Sequence, residues 1–136
     1  MAAGLGLGAA AVAYAGPGVA PVVPAFGEAL GLLMREDGEE GVAITFDDGP
    51  HPAGTPAVLE VLREHRALAT FFLAGEQVVK RPALVAEIVA AGHRVELHCH
   101  RHRDQLLRRP AELIADAERA RAAIEEAANQ AVLDYR

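Results

Sequence analysis

Apolar positions along the chain change period several times, and each change marks an element. Val42, Ile44 and Phe46 alternate with other residues, a two-residue period that predicts a strand ending where Asp47-Asp48-Gly49-Pro50 begins. Val58, Val61, Leu62 and His65 then recur at helical spacing. Just before them, Thr55-Pro56 offers a hydroxyl cap and a proline for the first helical position. The cycle repeats. Residues 69–74 (ATFFLA) are too apolar for a solvent-facing strand. Pro82 opens a helix whose Leu84, Val85, Ile88 and Val89 share a face, and Gly92 supplies a left-handed residue to end it. Val95 and Leu97 alternate into His98, and Pro110 opens a third helix with Leu113, Ala117, Ala120 and Ile124 on one side. Residues 132–135 predict the next strand.

Strands and helices in unbroken alternation predict an α/β fold, a parallel sheet covered by helices. The elements would make either a small open sheet or half of a (β/α) barrel, for which about 250 residues is typical. In both, ligands gather at the C-terminal ends of the strands. Asp47-Asp48 and His98 both fall at such ends.

The stretch before this pattern is different in kind. Residues 1–26 carry no charged side chain, and residues 2–15 are apolar or glycine before Pro17, Pro21 and Pro24 interrupt the run. About 20 apolar residues span a bilayer, so this stretch reads either as a membrane or export segment, which would place the protein at a membrane or outside the cytoplasm, or simply as an Ala/Gly-rich leader. No Lys or Arg precedes it. Residues 35–40 (REDGEE) read as a charged linker, so that residues 1–40 form a leader and 41–136 the folded part.

Composition narrows the partners. The net charge is −6 and the basic residues form no stripe, which excludes nucleic acid as a partner. Aromatics are few and Trp is absent, a thin endowment for stacking on sugars. A single cysteine, Cys99, rules out an internal disulfide.

Two segments carry chemistry. Adjacent carboxylates repel, and a divalent metal on one of Asp47 and Asp48 would relieve this while leaving the other free as a base. An acidic turn, or Mg²⁺ held for phosphoryl transfer, would use the same residues. His98-Cys99-His100-Arg101-His102 is dense in imidazole. If the chain turns there, His98 and His102 face one way at a spacing that suits one metal; if the strand continues, His98, His100 and His102 share a face. One carboxylate and two imidazoles leave open positions for water, as hydrolytic Zn²⁺ requires, and also describe a non-haem iron site. Cys99 reads as a soft-metal thiolate or a small buried side chain. His51, His65 and His93 have no partner at a telling spacing and read as surface or edge histidines.

These motifs resemble a known family. Thr45-Phe46-Asp47-Asp48-Gly49-Pro50, then Ala69-Thr70-Phe71-Phe72-Leu73, then Gly92-His93 followed by His98-x-x-x-His102 are similar, in order and spacing, to the signatures of the polysaccharide deacetylases (the NodB homology domain, carbohydrate esterase family 4). The resemblance covers residues 41–106. It implies the N-terminal half of a distorted (β/α) barrel, so that residues 41–136 are a partial NodB homology domain. It further implies metal-dependent hydrolysis of N-acetyl groups on an amino-sugar polymer, chitin-like or peptidoglycan. In that family's terms Asp47 is the catalytic base, and Asp48, His98 and His102 hold a divalent metal, Zn²⁺ with Co²⁺ as the alternative. Tyr135-Arg136 resembles the start of a third signature, whose Arg orients the base. Cys99 departs from the family's Ser/Thr, and Glu96-Leu97 stands where Gly-Asn is common. A later Asp segment and a late His acting as general acid are expected beyond Arg136, so residues 1–136 by themselves are expected to be inactive. A non-catalytic metal- or sugar-binding fragment and Mg²⁺-dependent phosphoryl transfer are the rival readings.

Overall fold

The computed structural model describes residues 23–31, 41–105 and 108–136. The apolar leader up to residue 22 and the charged linker at 35–40 lie outside the described residues. The chain forms two compact units, 1–41 and 42–136. In the first, Pro24 opens the short helix α1 (Pro24–Ala29). Among the described residues no helix is long and apolar enough to cross a membrane.

The second unit runs β1 (Thr45–Gly49), α2 (Gly54–His65), β2 (Thr70–Ala74), α3 (Gly75–Lys80), α4 (Pro82–Ala90), β3 (Arg94–Cys99) and α5 (Pro110–Ala128). The strands form one sheet in the order β1-β2-β3, parallel throughout. Strands buried on both faces need consecutive rather than alternating burial. Accordingly Val95, Glu96 and Leu97 are buried in succession, as are Leu73 and Ala74. Leu73 of β2 and Leu97 of β3 lie in one buried cluster with Val85 and Ile88 of α4 and Ala120 and Ile124 of α5. Each large aliphatic side chain so placed contributes about 1.5–3 kcal/mol. The chain leaves α4 through Gly92 at φ +85°, a conformation that a residue without Cβ adopts freely.

Four details differ from the sequence pattern. Strand β1 runs through both aspartates instead of stopping before them. Thr55 does not cap α2, which starts one residue earlier; the His51 ring does. Its Nδ1 accepts from the N–H groups of Gly54 at 2.9 Å and Ala53 at 3.3 Å, and the His51 N–H donates to Thr55 Oγ1 at 2.9 Å. The short helix α3, directly after β2, had no counterpart in the pattern. Finally, residues 132–135 form no full strand: a single parallel bridge pairs Leu97 with Tyr135. The reason is that the N–H groups of Leu133 and Asp134 are spent on the Glu96 carboxylate rather than on a ladder.

Candidate metal centre

The site lies where β1 and β3 each carry one residue more than β2. Along β1, Asp47 pairs with Phe72 and Gly49 with Leu73, so Asp48 is the extra residue. Along β3, Leu97 pairs with Leu73 and Cys99 with Ala74, so His98 is the extra residue. A bulge re-aims a side chain that a regular strand would direct elsewhere. Asp48 completes its bulge at φ +67°, a left-handed conformation costing of order 1–3 kcal/mol in a residue with a Cβ. Aspartate is among the side chains that tolerate it.

The consequence is convergence. His98 Nε2 and His102 Nε2 stand 3.3 and 3.7 Å from Asp48 Oδ1. One ligand atom from each residue lies within 4.8 Å of the others, and the two rings are 5.7 Å apart. Distances of 3.3 and 3.7 Å are long for hydrogen bonds. They approach the edge of about 3.3 Å that a tetrahedron with bonds near 2.0–2.1 Å would have. The donor set and its spacing therefore fit a divalent ion.

The far side of the His98 ring is fixed as well. Its Nδ1 lies 2.6 Å from the backbone carbonyl oxygen of Arg136. A carbonyl only accepts, so Nδ1 donates to it, and Nε2 is the nitrogen turned toward Asp48 and open to a metal. The neighbouring residues turn elsewhere. Strand β3 ends at Cys99, so His100 does not continue a His98-His100-His102 face. His100 is buried, its N–H donates to Asp116 at 2.8 Å, and burial foremost lowers the pKa of its ring. Cys99 is buried too, and its thiol is pushed up to about 11, by burial first and then by Asp116, Asp48 and Glu76. Among the described residues it is not part of the Asp48-His98-His102 group.

Asp47 and Arg136 form a second pair beside this cluster. Arg136 Nη1 lies 3.9 Å from Asp47 Oδ1 and donates to Thr45 Oγ1 at 2.6 Å, with the guanidinium 5.5 Å above the Phe72 ring. A cleft of about 250 Å³ opens next to the aspartates, bordered by His51, Val58 and Phe71. Sequence reasoning missed Thr45, Phe72, Asp116 and Glu96 as parts of this neighbourhood. Glu96 left a signal, a charge between Val95 and Leu97 inside a β-prone run; Asp116 on a helix left none. His93, read as a surface or edge residue, is buried against Phe71 at 5.6 Å.

A parallel sheet with a carboxylate and two imidazoles gathered at its C-terminal edge defines an α/β domain with a possible Asp-His-His metal site. The profile of the polysaccharide deacetylase family matches residues 34–136, and the chain belongs to that family. It is 44% identical over 95 residues to a chitooligosaccharide deacetylase of Bradyrhizobium sp. (strain ANU 289), covering 70% of this chain and 43% of that protein. A peptidoglycan-N-acetylglucosamine deacetylase of Bacillus cereus is 47% identical over 64 residues, covering 47% of this chain and 30% of that protein. Among solved structures, a family 4 carbohydrate esterase from Streptomyces lividans in complex with acetate superposes with a TM-score of 0.68 at 31% identity. That match covers 72% of this chain and 50% of the other. The fold is thus part of a distorted (β/α) barrel, and the chain spans half or less of the length of these three proteins.

Proposed function

We propose that the protein containing this chain removes N-acetyl groups from an amino-sugar polymer, chitin-like or peptidoglycan, with a divalent metal held by Asp48, His98 and His102. The observation that carries this reading is the convergence of those three side chains beside a second, separately held carboxylate, Asp47. Two imidazoles favour Zn²⁺, with Co²⁺ as the alternative, over the hard oxygen site that Mg²⁺ in phosphoryl transfer prefers. When bound, the ion would supply Lewis-acid polarisation of the acetamide carbonyl and of a water.

The chain's own residues supply the rest. Asp47 takes the proton of the attacking water, a general-base role open to it because its carboxylate is 40% exposed. Arg136 places its positive charge 3.9 Å from that carboxylate, and Thr45 and Phe72 fix the guanidinium in turn. The His98 ring is held in the metal-binding tautomer by the Arg136 carbonyl. As the water oxygen bonds to the carbonyl carbon, the C–N bond breaks, the nitrogen gains a proton, and acetate and a free amino sugar result.

The test is acetate release from N-acetylglucosamine oligomers by the full-length protein, before and after chelation and after readdition of Zn²⁺. The reading expects activity that chelation abolishes and Zn²⁺ restores. Equal rates with and without metal, or no acetate from metal-loaded protein, would overturn it.

A further inference from the structure

We propose that Glu96 is a positioning residue for this reaction. It docks residues 132–136 onto β3 in one register, and so sets Arg136 against both Asp47 and His98. The proposal rests on the roles just given to Asp47 and Arg136.

Glu96 lies in the middle of β3 with only 3% of its surface exposed. A carboxylate there costs several kcal/mol unless its oxygens are fully bonded. They are. Oε1 accepts from Arg94 Nη2 at 2.8 Å, while Oε2 accepts from the backbone N–H groups of Leu133 at 2.9 Å and Asp134 at 2.8 Å. Arg94 also reaches Asp134 Oδ2 at 3.0 Å, so the pair grips the segment from two sides.

The placement of Tyr135 and Arg136 depends on that grip. The backbone ladder resumes only after it, with Leu97 N–H donating to Asp134 O at 3.1 Å and Arg136 N–H to Leu97 O at 3.0 Å. Tyr135 is thereby placed opposite Leu97, and Arg136 comes next. A slip of one residue would reverse which side chains face the site. Arg136 would then lose Thr45, Asp47 and Phe72, and its carbonyl would leave His98 Nδ1. The other anchors act further back. Val132 is buried, its N–H donates to Glu125, and its carbonyl accepts from Arg121, but these hold only residue 132. An apolar side chain at 96 would fill the space yet leave the N–H groups of Leu133 and Asp134 without acceptors, and it would select no register.

The test compares the full-length, Zn²⁺-loaded protein with E96A, E96Q, R136A and the E96A/R136A double variant. Amide hydrogen exchange reads docking directly. In E96A, protection at Leu133, Asp134 and Arg136 should fall at least ~10-fold while Phe71 and Leu73 in β2 keep theirs. In acetate release, E96A and R136A should each lower kcat by about 10–100-fold, the range for loss of an outer partner of a catalytic site, with KM little changed. The double variant should be no slower than E96A, because undocking the segment already withdraws the Arg136 side chain together with the carbonyl that R136A leaves in place. E96Q, whose amide oxygen still accepts both N–H groups, should recover most of the loss. Multiplied effects in the double variant, a Gln no better than Ala, or unchanged exchange at 133–136 in E96A would each overturn the proposal. Should E96A fail to melt cooperatively, E96Q decides the matter: protection and turnover near the parent's support docking by the acceptor oxygen, and loss of both refutes it. Absence of acetate release from the parent would sink the deacetylase reading alone, and the exchange experiment would still decide the docking.

Discussion

His98 Nε2 lies 3.3 Å from Asp48 Oδ1 although the two residues come from strands that do not touch, since β2 stands between them. What brings them together is a matched pair of irregularities. Each is the residue by which its strand exceeds β2, and each is re-aimed past the end of the central strand. The cluster is therefore a property of the sheet's upper edge as a whole.

From that arrangement, Asp48→Ala, His98→Ala and His102→Ala should each weaken Zn²⁺ binding by more than the ~10–100-fold typical of losing an outer partner. His100→Ala should leave affinity close to the parent's, because His100 is turned into the protein and is not part of the cluster. Isothermal titration on folded variants checks this. A loss at His100→Ala as large as at His98→Ala would remove the assignment.

Asp47→Asn should keep the metal and lower turnover by about 10²–10⁴-fold, the share ascribed to a general base. Asp47 is held by Arg136 and not by the imidazoles, so metal affinity should not follow activity down. Parallel measurement of bound Zn²⁺ and acetate release separates the two. Loss of metal in the variant would make Asp47 a ligand.

Gly75→Ala should destabilise the fold by about 1–3 kcal/mol through overpacking. A Cβ there would stand 2.6 Å from His100 Nδ1 and 2.8 Å from the Ala120 Cα, and the latter is helix backbone that cannot swing aside. Because the Glu76 N–H donates to the His100 carbonyl at 3.0 Å, the strain should reach the histidine loop. Denaturant melts and Zn²⁺ affinity should both worsen; a variant as stable as the parent would show that α3 and α5 are less tightly apposed.

Stability should depend on His93 below neutral pH. Burial lowers its pKa in the folded state, and its Nδ1 has no hydrogen-bond partner among the described residues. The unfolded chain binds a proton near pH 6.5, the folded chain only at lower pH, so the unfolded state holds more protons in between. The stabilisation from the neutral, buried ring is thus complete above about pH 6.5 and declines as pH falls toward the folded-state value. His93→Leu should flatten this acid-side decline in part, His100 being lowered in the same direction by burial. Urea melts across the pH range check it, and identical slopes in parent and variant would refute it.

Whatever is written in local spacing was legible before folding. The alternation of periods foretold the parallel sheet and its helices, Pro82 and Pro110 marked where α4 and α5 start, and Gly92 marked where α4 ends. Asp47-Asp48 and the His98–His102 spacing advertised chemistry because their members are neighbours in the chain. Which of them face one another follows only from long-range packing. Whether His100 joins His98 depends on where β3 ends, and Asp48 reaches His98 only because each sits at a bulge against β2. Arg136 reaches Thr45 across 91 residues, a contact no short-range period encodes. The same holds for Glu96: its charge was visible, but its use required the unpaired N–H groups of Leu133 and Asp134 to arrive from 37 and 38 residues away. Periodicity reports which face of an element is buried, whereas the pairing of polar groups is settled only when distant backbone must find its acceptors.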